Sequence, residues 1–414
     1  MNVSFLPRIL LLASLCAVSS SSWAADWPQW RGADRTDRSA ETGLLQSWPA
    51  GGPKRVWLSK EGGIGYAGFS VVQGKLFTMG AIDKQEFLMA FEAETGKKLW
   101  ALPVGETYPN DWGDGPRSTP TVDGDLVYAL GAKGGLICAQ TADGKLVWQT
   151  TMKDLGGKVP GWGYCESVLV DGNQVVCTPG GGKGTVAALD KKTGKLIWQT
   201  KDFTDDAHYA SIIIGEIHGV RQYIQLTAAT VVGLKPADGT VLWRSPWQGK
   251  VAVIPTPIYR DGLVYITSGY GVGCKLVKVG PNNEVSDVYQ NKVIKNHHGG
   301  VILVGDHVYG HSDGAGWTCQ DFKTGAEVWS SKAFGKGAVS FADGRLYCLE
   351  EGSGTLVLAE ASPKKWTEHG RFTLDPQTTL RKPQGRIWTH PVISNGKLYL
   401  RDQELIYCYD VKAP

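Results

Sequence analysis

The stretch Thr193-Gly194-Lys195-Leu196-Ile197-Trp198 decides the fold, because it is one copy of a repeat. A turn residue, a glycine and a tryptophan four residues after the glycine occur together five times along the chain. The other four copies lie at 95–100, 143–148, 238–243 and 324–329. A tight turn that leads into an apolar segment is typical of a β-strand. The fixed spacing indicates repeated supersecondary units.

A second element lies between these copies: a turn dipeptide with glycine, followed by an apolar strand that often contains tyrosine. Asp123-Gly124, Asp171-Gly172 and Asn395-Gly396 are examples. Such dipeptides predict two-residue hairpin turns of type I′, in which both central residues have positive φ. His218-Gly219 and Gly305-Asp306 fit the same position less closely. The eight glycines of this element are on average 46 residues apart: Gly74, Gly124, Gly172, Gly219, Gly262, Gly305, Gly344 and Gly396.

The two elements together predict an all-β fold, an eight-bladed β-propeller of four-stranded antiparallel blades with the tryptophan on the outermost strand. The last strand-like segment, Tyr407–Asp410, fits the third strand of the last blade, and no tryptophan follows it. Gly52–Trp57 carries a tryptophan with no hairpin before it. We therefore expect this N-terminal strand to complete the last blade and close the ring, which removes an open sheet edge.

The first 25 residues have the pattern of a secretory signal peptide. Arg8 carries the only side-chain charge, and Ile9–Val18 form an apolar run. This run is shorter than the roughly 20 residues of a membrane-spanning helix. Small residues predict cleavage near Ala24 or Ala25. We expect the mature protein in the periplasm or outside the cell.

A lipoprotein would use Cys16, but the bulky Leu15 before it disfavours that alternative. The chain is therefore expected to divide into a signal peptide at 1–25, an N-terminal extension at 26–50 that packs on the propeller, and one propeller domain at 51–414.

The charge balance disfavours nucleic acid as a partner. The chain has 43 lysines and arginines against 40 aspartates and glutamates, a formal net charge of +3, with both signs scattered. Nucleic-acid-binding proteins instead concentrate basic residues. No segment after residue 25 has the apolar length of a membrane span, and we expect a monomer.

Seven cysteines follow residue 25 at irregular spacings that predict no particular disulfide and no metal or haem motif. Cys138, Cys319 and Cys408 occupy a position that other repeats fill with small residues such as Ala90 and Ala188. We attribute the small size to the taper of the blades toward the axis and interpret these cysteines as buried hydrophobes, with redox or ligand roles as the alternative. The repeated tryptophans are expected to pack between blades, with ligand stacking as the alternative.

The repeat resembles that of the pyrroloquinoline-quinone (PQQ) β-propeller family. The pattern Ala-x-Asp-x-x-Thr-Gly-Lys at Ala188–Lys195 and the Gly-Lys-x-x-Trp strands carry the resemblance, which covers residues 50–411. The family includes quinoprotein alcohol dehydrogenases and BamB-type outer-membrane assembly propellers, both eight-bladed. Asp26–Gly32, Gly115–Pro120 and Trp162–Glu166 resemble a subgroup of exported propellers.

The resemblance implies two functions. Quinoprotein dehydrogenases hold PQQ beside two adjacent, disulfide-bonded cysteines and bind calcium through a carboxylate, an asparagine and a catalytic aspartate. This sequence has no Cys-Cys pair and no matching calcium set. We therefore expect a non-catalytic binding or scaffold module of the cell envelope, with an envelope protein, a glycan or a small molecule at the channel mouth. The alternative is a PQQ-dependent dehydrogenase that oxidises an alcohol or sugar, with PQQ and calcium as cofactors.

The loops that enter the first strands gather at one mouth of the channel and predict where a ligand binds. Aromatic, charged and imidazole side chains in these loops are the candidate ligand-binding residues: Tyr66, Trp112, Arg117, Trp162, Tyr164, Glu166, His208, Tyr209, His298, Arg386, Trp388 and His390. The histidines with Asp205, Asp206 or Glu166 would suit a divalent metal. A binding funnel and a solvated rim are the alternatives, and catalytic and metal-ligating residues stay unassigned.

Two long loops, at 108–120 and 152–163, contain glycines and tryptophans. They are expected either to recognise the ligand or to pack against Trp27–Gly32.

Overall fold

The computed structural model describes residue 1 and residues 26–414. The predicted signal peptide, its cleavage site and Cys16 therefore lie outside the described residues. Residues 26–414 form thirty-two strands in eight four-stranded sheets, so the predicted eight-bladed β-propeller is confirmed. None of these described residues belongs to a helix that could cross a membrane.

The first strand, β1, spans Lys54–Ser59. Blades 1 to 4 contain β2 (Ser70–Val72), β3 (Lys75–Ile82), β4 (Gln85–Glu92), β5 (Lys98–Glu106); β6 (Thr121–Asp123), β7 (Leu126–Leu130), β8 (Gly135–Gln140), β9 (Leu146–Thr151); β10 (Leu169–Asp171), β11 (Gln174–Cys177), β12 (Ala187–Asp190), β13 (Leu196–Gln199); β14 (Ile213–Ile217), β15 (Val220–Leu226), β16 (Thr230–Leu234) and β17 (Val241–Pro246).

Blades 5 to 8 contain β18 (Ile258–Arg260), β19 (Leu263–Ser268), β20 (Gly273–Val279), β21 (Val285–Asn291); β22 (Val301–Val304), β23 (His307–Ser312), β24 (Gly316–Asp321), β25 (Glu327–Ser331); β26 (Gly337–Ala342), β27 (Arg345–Glu350), β28 (Thr355–Glu360), β29 (Glu368–Thr373); β30 (Val392–Ser394), β31 (Lys397–Asp402) and β32 (Leu405–Asp410). Blade 8 takes its fourth strand from the N-terminus, because β1 pairs antiparallel with β32 from Lys54 opposite Asp410 to Ser59 opposite Ile406. The predicted closure of the ring is confirmed.

The hairpin between the first and second strand of each blade uses one of two turn types. In five hairpins both central residues have positive φ, as at Gln73 (49°) and Gly74 (74°), which is type I′. In the other three, only the glycine has positive φ and it comes first: Gly124, Gly172 and Gly305. This is the type II′ pattern. The type I′ prediction was wrong for Asp123-Gly124 and Asp171-Gly172, because each aspartate is the last residue of its strand.

The repeated tryptophans pack between neighbouring blades, as predicted. A Cβ atom placed on Gly194 of blade 3 would lie 2.7 Å from the ring of Trp148 in blade 2. The Trp148 Nε1 donates a hydrogen bond of 2.9 Å to the Lys191 carbonyl in the same turn of blade 3. Trp57, Trp100 and Trp198 make the equivalent contacts. The glycine of the repeat is therefore required by the tryptophan of the preceding blade.

The small position on the third strand has a different cause from the one we expected. Cys138 pairs with Trp148, Cys319 with Trp329 and Cys408 with Trp57 across the third and fourth strands. At the same position of blade 4, a Cβ atom on Gly233 would lie 2.1 Å from Trp243 Nε1. The tryptophan ring therefore excludes larger residues at this position. A taper of the blades toward the axis is not the cause, because the first strands line the channel and the third strands do not. All seven cysteines in the described part of the chain are unpaired.

A β-bulge recurs in seven of the eight outer strands, just before the tryptophan position or, in blade 5, before Tyr289, where the register with the third strand shifts by one residue. The extra residue is apolar and points to solvent in most blades: Val56, Leu99, Val147, Ile197, Val288 and Val328. Outer strands are sheet edges, and bulges disrupt the ladder that another chain would need for pairing. The repeat thus protects its own edges.

Candidate functional site

The loops that precede the first strands and the turns between second and third strands lie at the same edge of each antiparallel blade. Around the channel mouth these segments enclose a cup of about 370 Å³. It is lined by Trp30, Arg31, Tyr66, Trp112, Arg117, Trp162, Cys165, Tyr209, Ser211, Ala252, Ile254, Pro255, Thr256, Tyr270, His297, His298, Gly299, Gly300, Lys336, Glu351, Arg386, Trp388 and His390.

Residues 26–41 form a loop that enters the channel from the opposite face. Asp26 accepts a hydrogen bond from the backbone N–H of Gln73, and Glu41 accepts one from that of Gly396. Gln73 and Gly396 belong to hairpin turns between first and second strands, so both ends of the loop lie at the face away from the cup. Trp30, inside the loop, lines the cup and donates from Nε1 to Thr256 Oγ1 at 3.0 Å. The loop is the floor of the cup.

Two buried arginines attach this floor to the inner ends of the blades. Arg35 donates to the carbonyl oxygens of Ser167 at 3.0 Å and Ile212 at 2.8 Å, in blades 3 and 4. Arg31 donates to the Val301 carbonyl of blade 6 at 2.6 Å. Burial lowers the pKa of Arg35 to about 10, so its guanidinium stays charged at neutral pH. The arginines satisfy carbonyl groups that the channel would otherwise leave without donors.

A buried carboxylate links the floor to the wall. Asp37 Oδ2 lies 2.8 Å from Arg31 Nε and 2.9 Å from His390 Nδ1. The His390 ring in turn meets Trp30 edge to face, with ring centroids 4.5 Å apart. Asp37 therefore holds one floor cation and one wall imidazole in place.

Trp388 is the centre of one wall. It stacks on His298 with ring centroids 5.0 Å apart and an interplanar angle of 15°. Tyr66 lies 5.0 Å and Trp112 6.5 Å from it, centroid to centroid. Trp388 Nε1 donates to Glu351 Oε2 at 3.1 Å, which fixes the indole in the plane of the wall. Burial raises the pKa of Glu351 above its usual range.

The adjoining wall contains neutral imidazoles beside an ion pair. His297 packs 4.5 Å from Tyr270, and its Nδ1 lies 3.0 Å from Lys336 Nζ. Lys336 is paired with Asp313 at 3.1 Å. Burial and the Lys336 charge lower the pKa of His297 to about 4, and burial lowers that of His298 well below its usual range. Both rings are therefore neutral at pH 7, with one donor and one acceptor nitrogen each.

Arg117 lies in the third wall, over the rings of Tyr66 and Tyr108 at 5.7 and 5.4 Å. Its guanidinium donates to the backbone carbonyls of Gly113 and Gly115, so it also shapes its own loop. Trp162 and Tyr209, in the loops before blades 3 and 4, meet edge to face with their ring centroids 5.9 Å apart.

The structure brings nine of the twelve predicted residues to the cup: Tyr66, Trp112, Arg117, Trp162, Tyr209, His298, Arg386, Trp388 and His390. Tyr164, Glu166 and His208 do not line it. Tyr164 is buried and donates to the Pro179 carbonyl, and Glu166 accepts from the backbone and hydroxyl of Thr178. His208 Nδ1 accepts from the backbone N–H of Val253. In a loop, consecutive side chains point to different sides: Tyr164 and Glu166 point into blade 3, and the half-buried His208 contacts the loop before blade 5.

Several residues of the cup are not among the predicted ones. Tyr270 and Glu351 lie in turns between second and third strands, which reach the same edge as the loops that were considered. Because the strands of a blade are antiparallel, the turn between the second and third strands lies at the same edge as the loop before the first strand, and this order could have predicted that these turns reach the cup. Trp30 and Arg31 belong to the N-terminal segment, and no pattern in the sequence places that segment in the channel.

The two long loops contact each other at the rim. The Tyr108 hydroxyl donates to the Gly161 carbonyl at 2.8 Å. Each loop supplies one tryptophan to the cup, Trp112 and Trp162, and only the first is strongly exposed, at 47%. Lys382 anchors the first loop from blade 8 through Asp114 at 2.7 Å.

The cup does not fit calcium-bound PQQ. Calcium takes six to eight oxygen ligands, whereas Glu351 is the one carboxylate among the lining residues and is hydrogen-bonded to Trp388. No group of three His, Cys, Asp or Glu suited to a metal occurs among residues 26–414. Cys165 lines the cup alone, with Tyr164 and Glu166 as its chain neighbours.

Comparison with known proteins gives the same fold. The family model described as outer membrane protein assembly factor BamB matches residues 83–331. Tetrathionate hydrolase of Acidithiobacillus ferrooxidans is 27% identical over 191 residues, 43% of this chain and 36% of the hydrolase. BamB of Kangiella koreensis is 24% identical over 196 residues, 44% of each chain. The chain thus matches less than half the length of these curated relatives.

Among solved structures, the quinohemoprotein alcohol dehydrogenase from Comamonas testosteroni superposes with a TM-score of 0.65. The sequence identity is 12%, and the superposition covers 95% of this chain and 82% of the dehydrogenase. At that identity the likeness shows the fold alone.

Proposed function

We propose that this chain, which belongs to the PQQ-like β-propeller family of the outer membrane protein assembly factor BamB, acts in the cell envelope as a non-catalytic binding propeller. The ligand enters the cup at the mouth of the channel. The observation that carries the proposal is the cup itself: aromatic walls, a few placed polar groups and a floor made by the chain's own N-terminal loop. Concave apolar sites with convergent polar groups are where proteins bind small ligands.

The size of the cup favours a small ligand over a folded partner. Its volume of about 370 Å³ is at the lower end of the 300–1,000 Å³ that is typical of ligand pockets. The floor prevents a chain from threading through the channel, because Arg31 and Arg35 tie it to blades 3, 4 and 6. A small molecule, or the end of a longer chain, suits this shape. An envelope protein as partner would bind elsewhere or insert only a terminal segment.

The test is a binding screen of the purified protein on glycan, peptide and metabolite arrays, repeated with two variants. Trp112→Ala/Trp162→Ala removes two aromatic rings from the cup. Leu196→Ala/Ile197→Ala is the control, because it also removes two large apolar side chains, which lie on an outer strand away from the cup and are 51% and 42% exposed. We expect at least a tenfold loss of binding for the cup variant, unchanged binding for the control, and equal thermal midpoints. Equal binding by both variants would contradict the placement of the site.

The dehydrogenase alternative has its own test. Absorbance titration of the protein with PQQ and calcium is expected to show no saturable binding in the micromolar range, because the cup lacks the carboxylates that calcium requires. Saturable micromolar binding, together with reduction of an artificial electron acceptor by an alcohol or sugar, would restore that alternative.

A further inference from the structure

We propose that the cup binds a uronic acid unit: a sugar ring that carries a carboxylate, at the end of a polysaccharide or as a short oligosaccharide. The inference rests on the proposed function, since it names the ligand class of the same cup. Three observations carry it: an arginine with an open binding edge, an exposed aromatic platform, and polar atoms that lack partners.

Arg386 offers the edge that carboxylates prefer. Both of its hydrogen bonds, to the carbonyls of Pro383 and Gly385, come from Nη1. Within residues 26–414 its Nε and Nη2 donate no hydrogen bond, and no carboxylate lies within ion-pair distance of it; the Glu351 carboxylate acts on it only at longer range. These two nitrogens form the planar fork that binds a carboxylate through two parallel bonds. The loop carbonyls hold the guanidinium in place and leave this fork unoccupied.

The other cations of the cup are already engaged. Arg31 is paired with Asp37 and Lys336 with Asp313. Arg117 lies over two tyrosine rings and donates to its own loop from both terminal nitrogens. A ligand anion therefore gains most at Arg386, where it meets a charge without displacing an existing ion pair.

The platform beside this arginine consists of Trp388, two residues along the chain, and Trp112. Their ring centroids lie 6.5 Å apart, and Trp112 leaves 47% of its surface exposed. An indole bears a large apolar face, and its burial against a ligand is favourable. The apolar face of a sugar ring is flat enough to stack on such a surface, while its hydroxyl groups point outward from the ring edge.

Unpaired polar atoms favour a sugar over a planar aromatic acid. The ring nitrogens of His298, the hydroxyl of Tyr270 and Nε1 of Trp162 form no hydrogen bond with any other residue of 26–414. All three side chains line the cup. A polyhydroxylated ring supplies partners for such groups, whereas a planar aromatic acid would cover them and leave them unsatisfied, at a cost of about 1–3 kcal/mol each.

Isothermal titration calorimetry of the purified protein tests the inference with three probes: trigalacturonic acid, the neutral trisaccharide maltotriose, and 2-naphthoate as a planar aromatic carboxylate. We expect saturable binding of trigalacturonic acid, at least tenfold weaker binding of the other two, and weaker binding as salt rises. Arg386→Ala should weaken trigalacturonic acid binding by about 10- to 100-fold, the range for a hydrogen bond to a charged group. Arg386→Lys should fall between, because it keeps the charge and loses the fork.

Arg244→Ala is the matched control, since Arg244 is exposed outside the cup and donates to one backbone carbonyl, that of Asp202. It should bind the acidic probe as the unchanged protein does. Equal affinity for maltotriose, preference for naphthoate, an unchanged Arg386→Ala affinity, or no binding of trigalacturonic acid would each overturn the inference. The proposed function survives these results if the arrays give another ligand that the Trp112→Ala/Trp162→Ala variant fails to bind, so the two failures are distinguishable.

Discussion

Replacing Asp37 by asparagine tests whether the contacts of the N-terminal loop inside the channel stabilise the propeller. Asp37 and Arg31 are each about 1% exposed, and the carboxylate contacts Arg31 Nε at 2.8 Å and His390 Nδ1 at 2.9 Å. Removing one partner of a buried ion pair leaves the other charge without compensation, which costs about 3–5 kcal/mol. Asparagine keeps the shape and one acceptor oxygen, so we expect a loss of about 3 kcal/mol in the free energy of unfolding.

The assay is urea unfolding at pH 7, followed by far-ultraviolet circular dichroism. Asp123→Asn is the control, because Asp123 forms a partly exposed ion pair with Lys191 at 2.6 Å and such pairs contribute about 0–1 kcal/mol. In the double variant Arg31→Met/Asp37→Asn no buried charge is left unpaired, although the Val301 carbonyl loses its donor, so the loss of stability should be smaller than the sum of the losses of the two single variants. A loss below about 1 kcal/mol for Asp37→Asn, equal to that of the control, would refute the account of the floor.

Three further predictions concern stability. Burial raises the pKa of Glu166 from 4.5 to about 7, so its contribution to stability is fully present below pH 4.5 and is lost as the pH rises through 7. Glu166→Gln should therefore remove about 3 kcal/mol of the pH dependence of the unfolding free energy between pH 4.5 and 8, measured by urea titrations. An unchanged pH dependence would contradict this. Gly233→Ala places a Cβ atom 2.1 Å from Trp243 Nε1 and should lower the free energy of unfolding by about 1–3 kcal/mol, with a lower thermal midpoint. The control Gly105→Ala, whose Cβ atom meets nothing within 4 Å, should lower the thermal midpoint far less. Equal midpoints of the two variants would exclude the steric explanation. Arg401 donates to the backbone carbonyls of Gly62, Gly63, Ala67, Met79 and Gln403. Arg401→Lys should therefore weaken the contact between blades 8 and 1 and lower the free energy of unfolding in urea by about 3 kcal/mol or more. A loss under about 1 kcal/mol would show that those carbonyls find other donors.

The fold could be predicted because each blade repeats the same local chemistry. A glycine that must lie under a tryptophan ring, as Gly194 lies under Trp148, leaves a fixed spacing in the sequence. Hairpin glycines need positive φ and therefore also recur. The cause of the small third-strand position could not be deduced, since the sequence does not show that Cys138 lies opposite Trp148.

The site was only partly predictable, because its residues come from different blades and have no common spacing. Loop position placed Trp112 and Arg386 correctly at the cup. It could not tell Cys165, which lines the cup, from its neighbour Glu166, which points into the blade, since loops have no regular side-chain alternation. The floor was missed because Trp30 reaches the channel through tertiary contacts with several blades, and none of these contacts leaves a local pattern.

Hydrogen–deuterium exchange with and without saturating ligand, using the strongest ligand from the arrays, tests the central claim that the cup is the binding site. We expect slower exchange of backbone amides at 108–119 and 382–390, the loops that carry Trp112 and Arg386. The hairpin turns on the opposite face, at 73–74 and 124–125, should not change. Protection confined to those turns or to the outer strands, with none at the two loops, would show that the ligand binds outside the cup.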